Sequence, residues 1–551
     1  MTAERAGSFD YIIIGAGSAG CTLANRLSAD PDVRVLLLEA GGWDRHPLVK
    51  VPLGWGKVLL DRIYDWGYDG EPLETMAGRR IECARGKVVG GSSTINAMAH
   101  VRGNRGDFAR WTSYGLSGWS YDDVLPYFRR QESWEGGASH YRGGDGPMAT
   151  RKSRYQDPLV DAYLEAAAGS GHKLNDDYNG ERQDGFARMQ MTIRNGHRES
   201  AATAYLHPAL RRKNLVVTVR AHVARVVFEG MRAVGVEFVK DGLRRVAGTE
   251  REVIVSAGAI NSPQILMLSG IGEPQALAAH GIKVKAALPG VGQNLQDHAA
   301  ALLIYGRADI SPLVRNMRAD RLALGIAEAF ALGRGFMTDL PGGITGFVKT
   351  DPSKPMPDIQ LLFIAGSLAA APYLPPFSTA FADSFACRIV LLRPQSRGSI
   401  ALASAEPLAH PRIHQGLLST AADWATLREG IVLFRELAHR SELKPYVARE
   451  IGPGAHVVSE AQIETYTRQT AVTAHHPAGT CKMGVDADPA AVVDDRLRVR
   501  GVERLRVVDA SVFPDLVGGN INAPTIMIAE RAADLIRERL AQPQKSVKRL
   551  I

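Results

Sequence analysis

Residues 15–20 read Gly-Ala-Gly-Ser-Ala-Gly and are the first group whose types and spacing could do chemistry. They match the GxGxxG pattern that binds the pyrophosphate of a dinucleotide. In this pattern Gly15 allows a tight turn, Gly17 lets the backbone approach the pyrophosphate, and Gly20 lets a helix pack closely on a strand. The N–H groups at the start of the following helix would face the phosphates.

Glu39 supplies a second part of the same site. It directly follows the apolar run at residues 33–38 and can accept hydrogen bonds from the adenosine ribose hydroxyls. A carboxylate at this position repels a 2′-phosphate, so NADP is disfavoured. The local pattern does not separate NAD from FAD.

Histidine is the other residue type that could do chemistry here. An imidazole has an ordinary pKa of about 6.5, which suits a general base. The chain has 15 histidines, so residue type alone selects none of them. Adjacent His475 and His476 precede Pro477 in a segment that reads as a turn.

Buried strands must position these residues. Residues 11–14, 33–38 and 253–255 are apolar, β-branched runs typical of strands buried on both faces of a parallel sheet. Residues 85–98 read Arg-Gly-Lys-Val-Val-Gly-Gly-Ser-Ser-Thr-Ile-Asn-Ala-Met, in which paired glycines and hydroxyls could wrap a large planar ligand and its phosphates. A second strand-turn-helix pattern ends at residues 258–272.

The order of these motifs resembles the glucose–methanol–choline (GMC) oxidoreductases, which bind FAD. The resemblance rests on residues 85–96 and 258–272, on the histidine motif at 475–484 and on the asparagine motif at 519–525. It runs from about Phe9 to Leu540 and looks closest to the choline dehydrogenase and alkanol dehydrogenase branch, including residues 288–298.

The resemblance implies an α/β plus α+β fold, in which a Rossmann-like FAD-binding domain is joined to an antiparallel-sheet substrate domain. The FAD-binding domain is expected at 1–301, with a loop-rich excursion near 136–194, and again at 470–551, where it carries the catalytic His and Asn. The substrate domain is expected at 302–469.

The same resemblance implies a set of FAD contacts. They fall on Gly15, Gly17, Ser18, Ala19, Gly20, Glu39, Ala40, Trp66, Gly91, Asn96, Ala97, Met98, Val223, His475, Asp509, Ala510 and Thr525. Some family members attach FAD covalently through a histidine close to the asparagine that matches Asn96. Here Ile95 precedes that asparagine and no histidine lies within 85–98, so FAD is expected to be noncovalent.

In this family an alcohol loses its hydroxyl proton to a base and a hydride to flavin N5. The resemblance makes His476 the base and Asn522 its partner at the substrate oxygen. His475 is the rival base, although it is expected to lie against the flavin. Asn520 is expected to cap a helix. Thr525 and its helix are expected to point N–H groups at the flavin pyrimidine.

The substrate is expected to be a primary alcohol that is oxidised to an aldehyde. A choline site needs an aromatic cage or a carboxylate, and choline and alkanol dehydrogenases tend to carry a glutamate where this chain has Gly343. Asp339 is nearby, and residues 361–374 are apolar and rich in alanine. We therefore expect a neutral aliphatic or aromatic alcohol, with choline as the alternative. A hydroxynitrile lyase and a light-driven fatty-acid decarboxylase remain further alternatives, and the electron acceptor is expected to be oxygen or a quinone.

Composition narrows the class of protein. Hydrophobic residues make up 45% of the chain and charged residues 23%, which excludes a disordered chain, a collagen-like repeat and a coiled coil. The net charge of +8 is scattered, so no nucleic-acid partner is expected. The four cysteines contain no CxxC pair, which argues against a structural zinc site and for a reducing cytoplasm. No apolar run approaches the ~20 residues of a transmembrane segment, although the basic tail at Lys545, Lys548 and Arg549 could support weak contact with a membrane surface.

Overall fold

A computed structural model describes residues 4–541. The chain includes several runs of consecutive strands, such as those within residues 215–255 and 344–414. The helices are α1 (Ser18–Leu27), α2 (Pro47–Lys50), α3 (Trp55–Leu60), α4 (Arg105–Ser113), α5 (Tyr121–Gln131), α6 (Pro158–Gly169), α7 (His207–Ala209), α8 (Gly258–Leu268), α9 (Pro274–Ala279), α10 (Pro312–Asn316), α11 (Ala319–Leu332), α12 (Ala421–Ala438), α13 (Glu460–Thr470) and α14 (Asn522–Ala541).

The strands form two large sheets and several small ones. They are β1 (Glu4–Ile14), β2 (Val35–Leu38), β3 (Glu132–Trp134), β4 (Met148–Lys152), β5 (Gly185–Arg188), β6 (Gln190–Met191), β7 (Ile193–Arg194), β8 (His197–Arg198), β9 (Leu215–Thr218), β10 (Ala221–Glu229), β11 (Arg232–Lys240), β12 (Leu243–Val255), β13 (Ile271–Gly272), β14 (Ala286–Ala287), β15 (Ala299–Arg307), β16 (Ile344–Val348), β17 (Ile359–Ile364), β18 (Ser384–Leu391), β19 (Ser399–Ala401), β20 (Arg412–His414), β21 (Val447–Gly452), β22 (Val472–Thr473) and β23 (Leu505–Val507).

The first large sheet has the order β10-β11-β12-β1-β2-β9, with β23 beside β12. Its centre is parallel, since β1 pairs in parallel with β2 and β12, and β23 pairs in parallel with β12. Ile12, Ile13, Leu37 and Ile254 are fully buried because helices cover both faces of this centre. The expected Rossmann-like, FAD-binding half of the fold is confirmed.

The glycine turn after β1 is shaped by close backbone contacts. Gly15 has φ +96°, which favours glycine. A Cβ atom on Gly20, inside α1, would lie 1.8 Å from the carbonyl oxygen of Gly15. Only glycine at position 20 therefore lets α1 pack this closely on the turn.

The second large sheet is antiparallel and has the order β21-β15-β18-β17-β16-β5, with β22 beside β15. Apolar residues of α12, among them Leu427, Ile431 and Phe434, are buried in the core that covers one face of this sheet. The expected antiparallel-sheet substrate domain is therefore confirmed.

The expected chain boundaries differ from the sheets, since β15 of the second sheet already begins at Ala299 and two further strands of that sheet lie outside 302–469. Strand β5 lies inside the excursion expected at 136–194 and forms an edge of the second sheet, so this excursion is not only a loop. Strand β22 begins at Val472, so the second sheet continues past the boundary expected at 470. No helix within residues 4–541 is both long and apolar enough to cross a membrane, and the basic tail residues 545, 548 and 549 lie outside the described part of the chain.

A pair of glycine substitutions tests the packing of this turn. We expect Gly20→Ala to lower the free energy of unfolding by at least about 2 kcal/mol, because its methyl group collides with backbone. Gly17→Ala is the matched control, since a Cβ there meets no atom within 4 Å, and it should cost less than about 1 kcal/mol. Urea unfolding followed by circular dichroism measures both. Equal losses would contradict this packing.

Candidate active site

A cavity of about 920 Å³ runs from the glycine turn of the first sheet to the edge of the second. It gathers almost all of the residues expected to contact FAD. Gly20 alone among them does not line it, because it packs inside α1. The expected catalytic residues, His476 and Asn522, line it too. The volume is of the size that large ligands occupy.

At one end of the cavity, Glu39 is buried where a ribose is expected. Its Oε2 accepts a hydrogen bond from Ala16 N–H at 2.8 Å, and its Oε1 accepts one from Gly41 N–H at 2.8 Å. Burial raises the pKa of Glu39 to about 7, and these two N–H groups oppose that rise. Each carboxylate oxygen keeps a lone pair for a ligand hydroxyl.

The middle of the cavity is a close contact between two glycine segments. A Cβ atom on Gly91 would lie 2.7 Å from Gly17 Cα, so the backbone of residues 90–94 crosses the glycine turn without a side chain between them. Asn96 is fixed further along, because Arg198 Nη1 donates a hydrogen bond to its Oδ1 at 2.9 Å. This bare backbone and the length of the cavity fit FAD.

His476 lies at the other end of the cavity, where the pairing of two strands within the second sheet determines its position. Pairing of β15 with β22 aligns Ala299 with Thr473, which brings His298 beside the chain that leads to His476. Asp297 Oδ1 accepts a hydrogen bond from the backbone N–H of His476 at 2.8 Å. The Nδ1 atoms of His298 and His476 are 2.9 Å apart.

The hydrogen bonds of His298 determine which nitrogen of His476 carries a proton. His298 Nε2 lies 3.1 Å from the carbonyl oxygen of Leu392, which can only accept, so Nε2 carries the proton. Burial lowers the pKa of His298 to about 4, so the ring is neutral and its Nδ1 is an acceptor. His476 must therefore donate through Nδ1–H, which leaves a lone pair on Nε2.

Asn520, rather than the expected Asn522, lies against this lone pair. Its Nδ2 is 3.0 Å from His476 Nε2. Asn522 is the first residue of α14 and is turned towards α1, where its Oδ1 accepts a hydrogen bond from Ser18 Oγ at 2.7 Å. The expectation that Asn522 faces His476 is therefore wrong. Helix α14 begins at Asn522, so Asn520, two residues earlier, remains in the loop and lies against the histidine.

The expectation that Thr525 directs its N–H at the flavin also needs adjustment. The N–H of Thr525 is paired with the carbonyl oxygen of Ile521 at 3.1 Å, and Pro524 has no N–H. The unpaired N–H groups at the start of α14 are therefore those of Asn522 and Ala523. The Asp509 carboxylate accepts hydrogen bonds from protein groups, among them Ser262 Oγ at 2.6 Å, so its side chain orders the neighbouring turns.

His475 has φ +63°, a conformation that is uncommon for residues other than glycine. Its Nδ1 is buried and has no partner among the described residues. Burial, followed by the charges of Arg85 and Arg388, lowers the pKa of His475 to about 3. A neutral ring with an unpaired nitrogen fits contact with a planar cofactor better than the role of base.

The electrostatic surroundings keep His476 neutral. Burial is the largest cause that lowers its pKa well below 6.5, and the positive charges of Arg85 and Arg388 lower it further. At neutral pH Nε2 is therefore unprotonated, and its lone pair accepts a hydrogen bond from Asn520 Nδ2 that a substrate hydroxyl would replace.

Sequence reasoning missed three residues of this site. Asp297 and His298 lie in the segment 288–298 that carried the family resemblance, but no pattern within it indicated a contact with His476. Arg388 lines the cavity as well, and its signal was legible, since it is the one charge in the otherwise apolar residues 385–392.

Comparisons with known proteins agree with this arrangement. Family models described as GMC oxidoreductase match residues 9–300 and 394–529. A mitochondrial choline dehydrogenase of Homo sapiens is 44% identical over 560 residues, which cover 99% of this chain and 92% of the relative. An oxygen-dependent choline dehydrogenase of Brucella ovis is 42% identical, with 96% of each chain covered.

Solved structures of other proteins superpose closely on this chain. Pyridoxine 4-oxidase from Mesorbium loti superposes with a TM-score of 0.85 at 32% identity, covering 97% of this chain and 100% of the other. Formate oxidase from Aspergillus oryzae superposes with a TM-score of 0.87 at 25% identity, covering 98% and 99%.

The tautomer of His476 can be tested by NMR. We expect ¹⁵N-histidine spectra of the protein at pH 7 to show His476 protonated on Nδ1, with His476→Gln identifying its signals. His298→Leu removes the acceptor, so the Nε2–H tautomer should then become populated. A wild-type His476 that is protonated on Nε2 would contradict the hydrogen-bond chain described above.

Proposed function

Since the chain belongs to the GMC oxidoreductase family, we propose that its active site lies between His476 and Asn520 and oxidises a primary alcohol to an aldehyde. The protein is an FAD-dependent oxidoreductase that acts on CH–OH donors. The observation that carries the proposal is the unprotonated His476 Nε2 facing Asn520 at the end of the cavity that fits FAD.

The residues of the chain act on the hydroxyl end of the substrate. His476 Nε2 accepts the hydroxyl proton, and the ring is prepared for it because His298 holds the other nitrogen as a donor. The Asn520 amide has two N–H groups and donates one to the substrate oxygen, which positions the carbinol carbon. FAD, when bound, accepts the hydride from that carbon, while the C–O bond becomes the carbonyl of the aldehyde.

We also propose that FAD is bound without a covalent link. Ile95 precedes Asn96 and is buried, and the histidines that line the cavity, within the part of the chain that the structure describes, are His222, His475 and His476. None of them lies in the segment where relatives carry the linking histidine. FAD should therefore separate from the protein on denaturation.

Neutral alcohols and choline are the two substrate candidates within this proposal. The apolar cavity wall, which includes Leu340, Leu362 and Ile364, favours a neutral aliphatic or aromatic alcohol. The named relatives are choline dehydrogenases and favour choline.

Neither Asp339 nor position 343 offers a free carboxylate to choline. Asp339 is buried and its oxygens accept from Arg151, Ser153 and the N–H of Arg154. A Cβ atom on Gly343 would lie 2.0 Å from Ser153 Oγ, so a larger residue does not fit without a shift.

An anaerobic stopped-flow experiment with a panel of alcohols tests the proposal. Bleaching of the oxidised flavin band in the dark would support alcohol oxidation, and the return of colour in air would distinguish oxygen from a quinone-type acceptor. A yellow protein that no alcohol bleaches would favour the lyase or the photochemical decarboxylase.

Substitutions distinguish the roles of the two asparagines. His476→Ala should slow flavin reduction by about 10²–10⁴-fold, the usual contribution of a general base, and Asn520→Ala should slow it by about 10²-fold. Asn522→Ala is the matched comparison. It removes the contact with Ser18 and should weaken FAD retention more than the rate. Stopped-flow rates and FAD content measure both effects, and a larger rate loss in Asn522→Ala than in Asn520→Ala would contradict the assignment.

The pH dependence follows from the environment of His476. The neutral, proton-accepting form prevails above its pKa, and that pKa lies well below 6.5 because of burial and neighbouring positive charge. The rate of flavin reduction should therefore be constant near neutral pH and decrease only as the pH falls below 6.5. Stopped-flow measurements between pH 5 and pH 9 check this, and a rate that still rises between pH 7 and 8 would contradict it.

A further inference from the structure

Arg388 is a half-buried cation that no protein group within the described residues 4–541 neutralises. It lies in β18, where the strand register aligns it with Leu302 of β15 and Leu362 of β17. Its Nε is buried without a partner, and no hydrogen bond or ion pair reaches its guanidinium among the described residues 4–541. Burying an unpaired charge is unfavourable. Burial lowers the pKa of Arg388, but a guanidinium is so basic that it stays protonated at neutral pH.

This cation faces the reacting end of the cavity. Arg388 lines the same cavity as His476 and Asn520, and its charge is near enough to contribute to the lowered pKa values of His475 and His476. Leu362 and Ala474 line the cavity too and pack against the apolar cluster that contains Val390, two residues further along β18. The end of the cavity therefore combines apolar side chains with His475, the base, the amide and the guanidinium groups of Arg85 and Arg388.

The carboxylates that line the cavity are committed elsewhere. Glu39 lies at the glycine turn, where Ala16 and Gly41 donate to it. Asp509 accepts from three protein groups at the start of α8 and the turn after β23. Glu82 lies 3.8 Å from Arg62, and its Oε1 accepts no hydrogen bond from the described residues. Within the described part of the chain, no acid forms an ion pair with Arg388.

We propose that Arg388 binds a carboxylate carried by the alcohol substrate, so that the enzyme oxidises hydroxy acids in preference to choline. This inference rests on the proposed function, since it concerns the far end of the alcohol that His476 and Asn520 hold. The planar guanidinium can donate two parallel N–H bonds to a carboxylate. The carboxylate takes no part in the reaction: the hydroxyl proton still passes to His476, the hydride to FAD, and the product is the corresponding aldehyde acid.

The same charge acts against choline. A quaternary ammonium has no hydrogen-bond acceptor and is repelled by the guanidinium, and the alcohol-binding end lacks a carboxylate to offset this repulsion. The similarity to choline dehydrogenases covers the whole fold, but the charge of Arg388 changes which groups at the far end of an alcohol the site can bind.

Three alcohols of similar size test the proposal: 4-hydroxybutanoate, choline, and 3,3-dimethylbutan-1-ol, which is the neutral counterpart of choline. Anaerobic stopped-flow gives the rate of flavin bleaching and the apparent Kd for each. We expect wild-type protein to use 4-hydroxybutanoate with about 10- to 100-fold higher efficiency than the neutral alcohol, the size of a charge-assisted hydrogen bond, and choline least well. A preference for choline or for the neutral alcohol would overturn the proposal.

Arg388→Met removes the charge and keeps the length of the side chain. It should lose the preference for 4-hydroxybutanoate, leave the neutral alcohol within a few-fold, and improve choline. It should also move the low-pH decrease of the rate to higher pH, because a charge that lowers the pKa of His476 is gone. Equal losses for the acid and the neutral alcohol would show a merely structural role and contradict the proposal. Arg449→Leu, an exposed arginine of β21 in the same sheet, is the matched control and should change none of these values.

Arg388→Lys provides the test if the methionine variant fails to fold, because it keeps a point charge without the planar fork. It should retain part of the preference for the acid over the neutral alcohol. A variant that loses oxidation of the neutral alcohol but keeps oxidation of the acid would contradict a binding role.

Binding of butanoate, which has no hydroxyl group, separates this inference from the proposed function. Butanoate should perturb the flavin spectrum of the wild type saturably and compete with alcohols, and Arg388→Met should abolish this. If alcohols bleach the flavin but butanoate does not bind, the role of Arg388 is refuted and alcohol oxidation stands. If no alcohol bleaches the flavin but butanoate binds through Arg388, alcohol oxidation fails and the anion site remains.

Discussion

The Nδ1–Nδ1 hydrogen bond between His298 and His476 is the constraint on which the candidate site depends. Two neutral imidazoles can share this bond only if one donates and the other accepts. The carbonyl oxygen of Leu392 decides the direction, since it requires a donor at His298 Nε2. The proton-accepting nitrogen of His476 is therefore determined by a backbone carbonyl on the far side of a second ring. A movement that breaks this chain would remove the constraint that keeps the proton of His476 on Nδ1.

The fold brings these groups together from distant parts of the sequence. His298 precedes β15 and His476 follows β22, and the antiparallel pairing of those strands makes the two rings neighbours. Asn520 comes from the loop before α14, which packs beside α1 and the glycine turn. The start of this helix is thus bonded to Ser18 at the glycine turn through Asn522, and the loop directly before it brings Asn520 to His476.

The parts of this arrangement that could be predicted are those with local sequence signals. The glycine turn, the buried strands at 11–14 and 253–255 and the family resemblance indicated the fold class, which is confirmed. To choose between Asn520 and Asn522, one must know the first residue of α14 to within two positions. Helix ends cannot be predicted from sequence with that accuracy. The contact between His298 and His476 depends on the pairing of two strands that are about 170 residues apart, and no local pattern encodes it. The FAD contacts remain predictions, although nearly all of those residues line one cavity.

Arg388 is a charged residue in an otherwise apolar strand, and such an exception to the strand pattern can indicate function. The strand β18 is otherwise apolar, and a hydrophobic side chain at position 388 would avoid the desolvation of a charge that no protein group pairs. Natural sequences are mostly consistent between strand pattern and burial, and departures concentrate where a ligand completes the interaction. The guanidinium also helps to keep His476 unprotonated, so the charge that would hold an anionic substrate simultaneously maintains the base that would react with it. When a carboxylate neutralises Arg388, one of the charges that lower the pKa of His476 is offset, and the base becomes a stronger proton acceptor at the moment the substrate is in place.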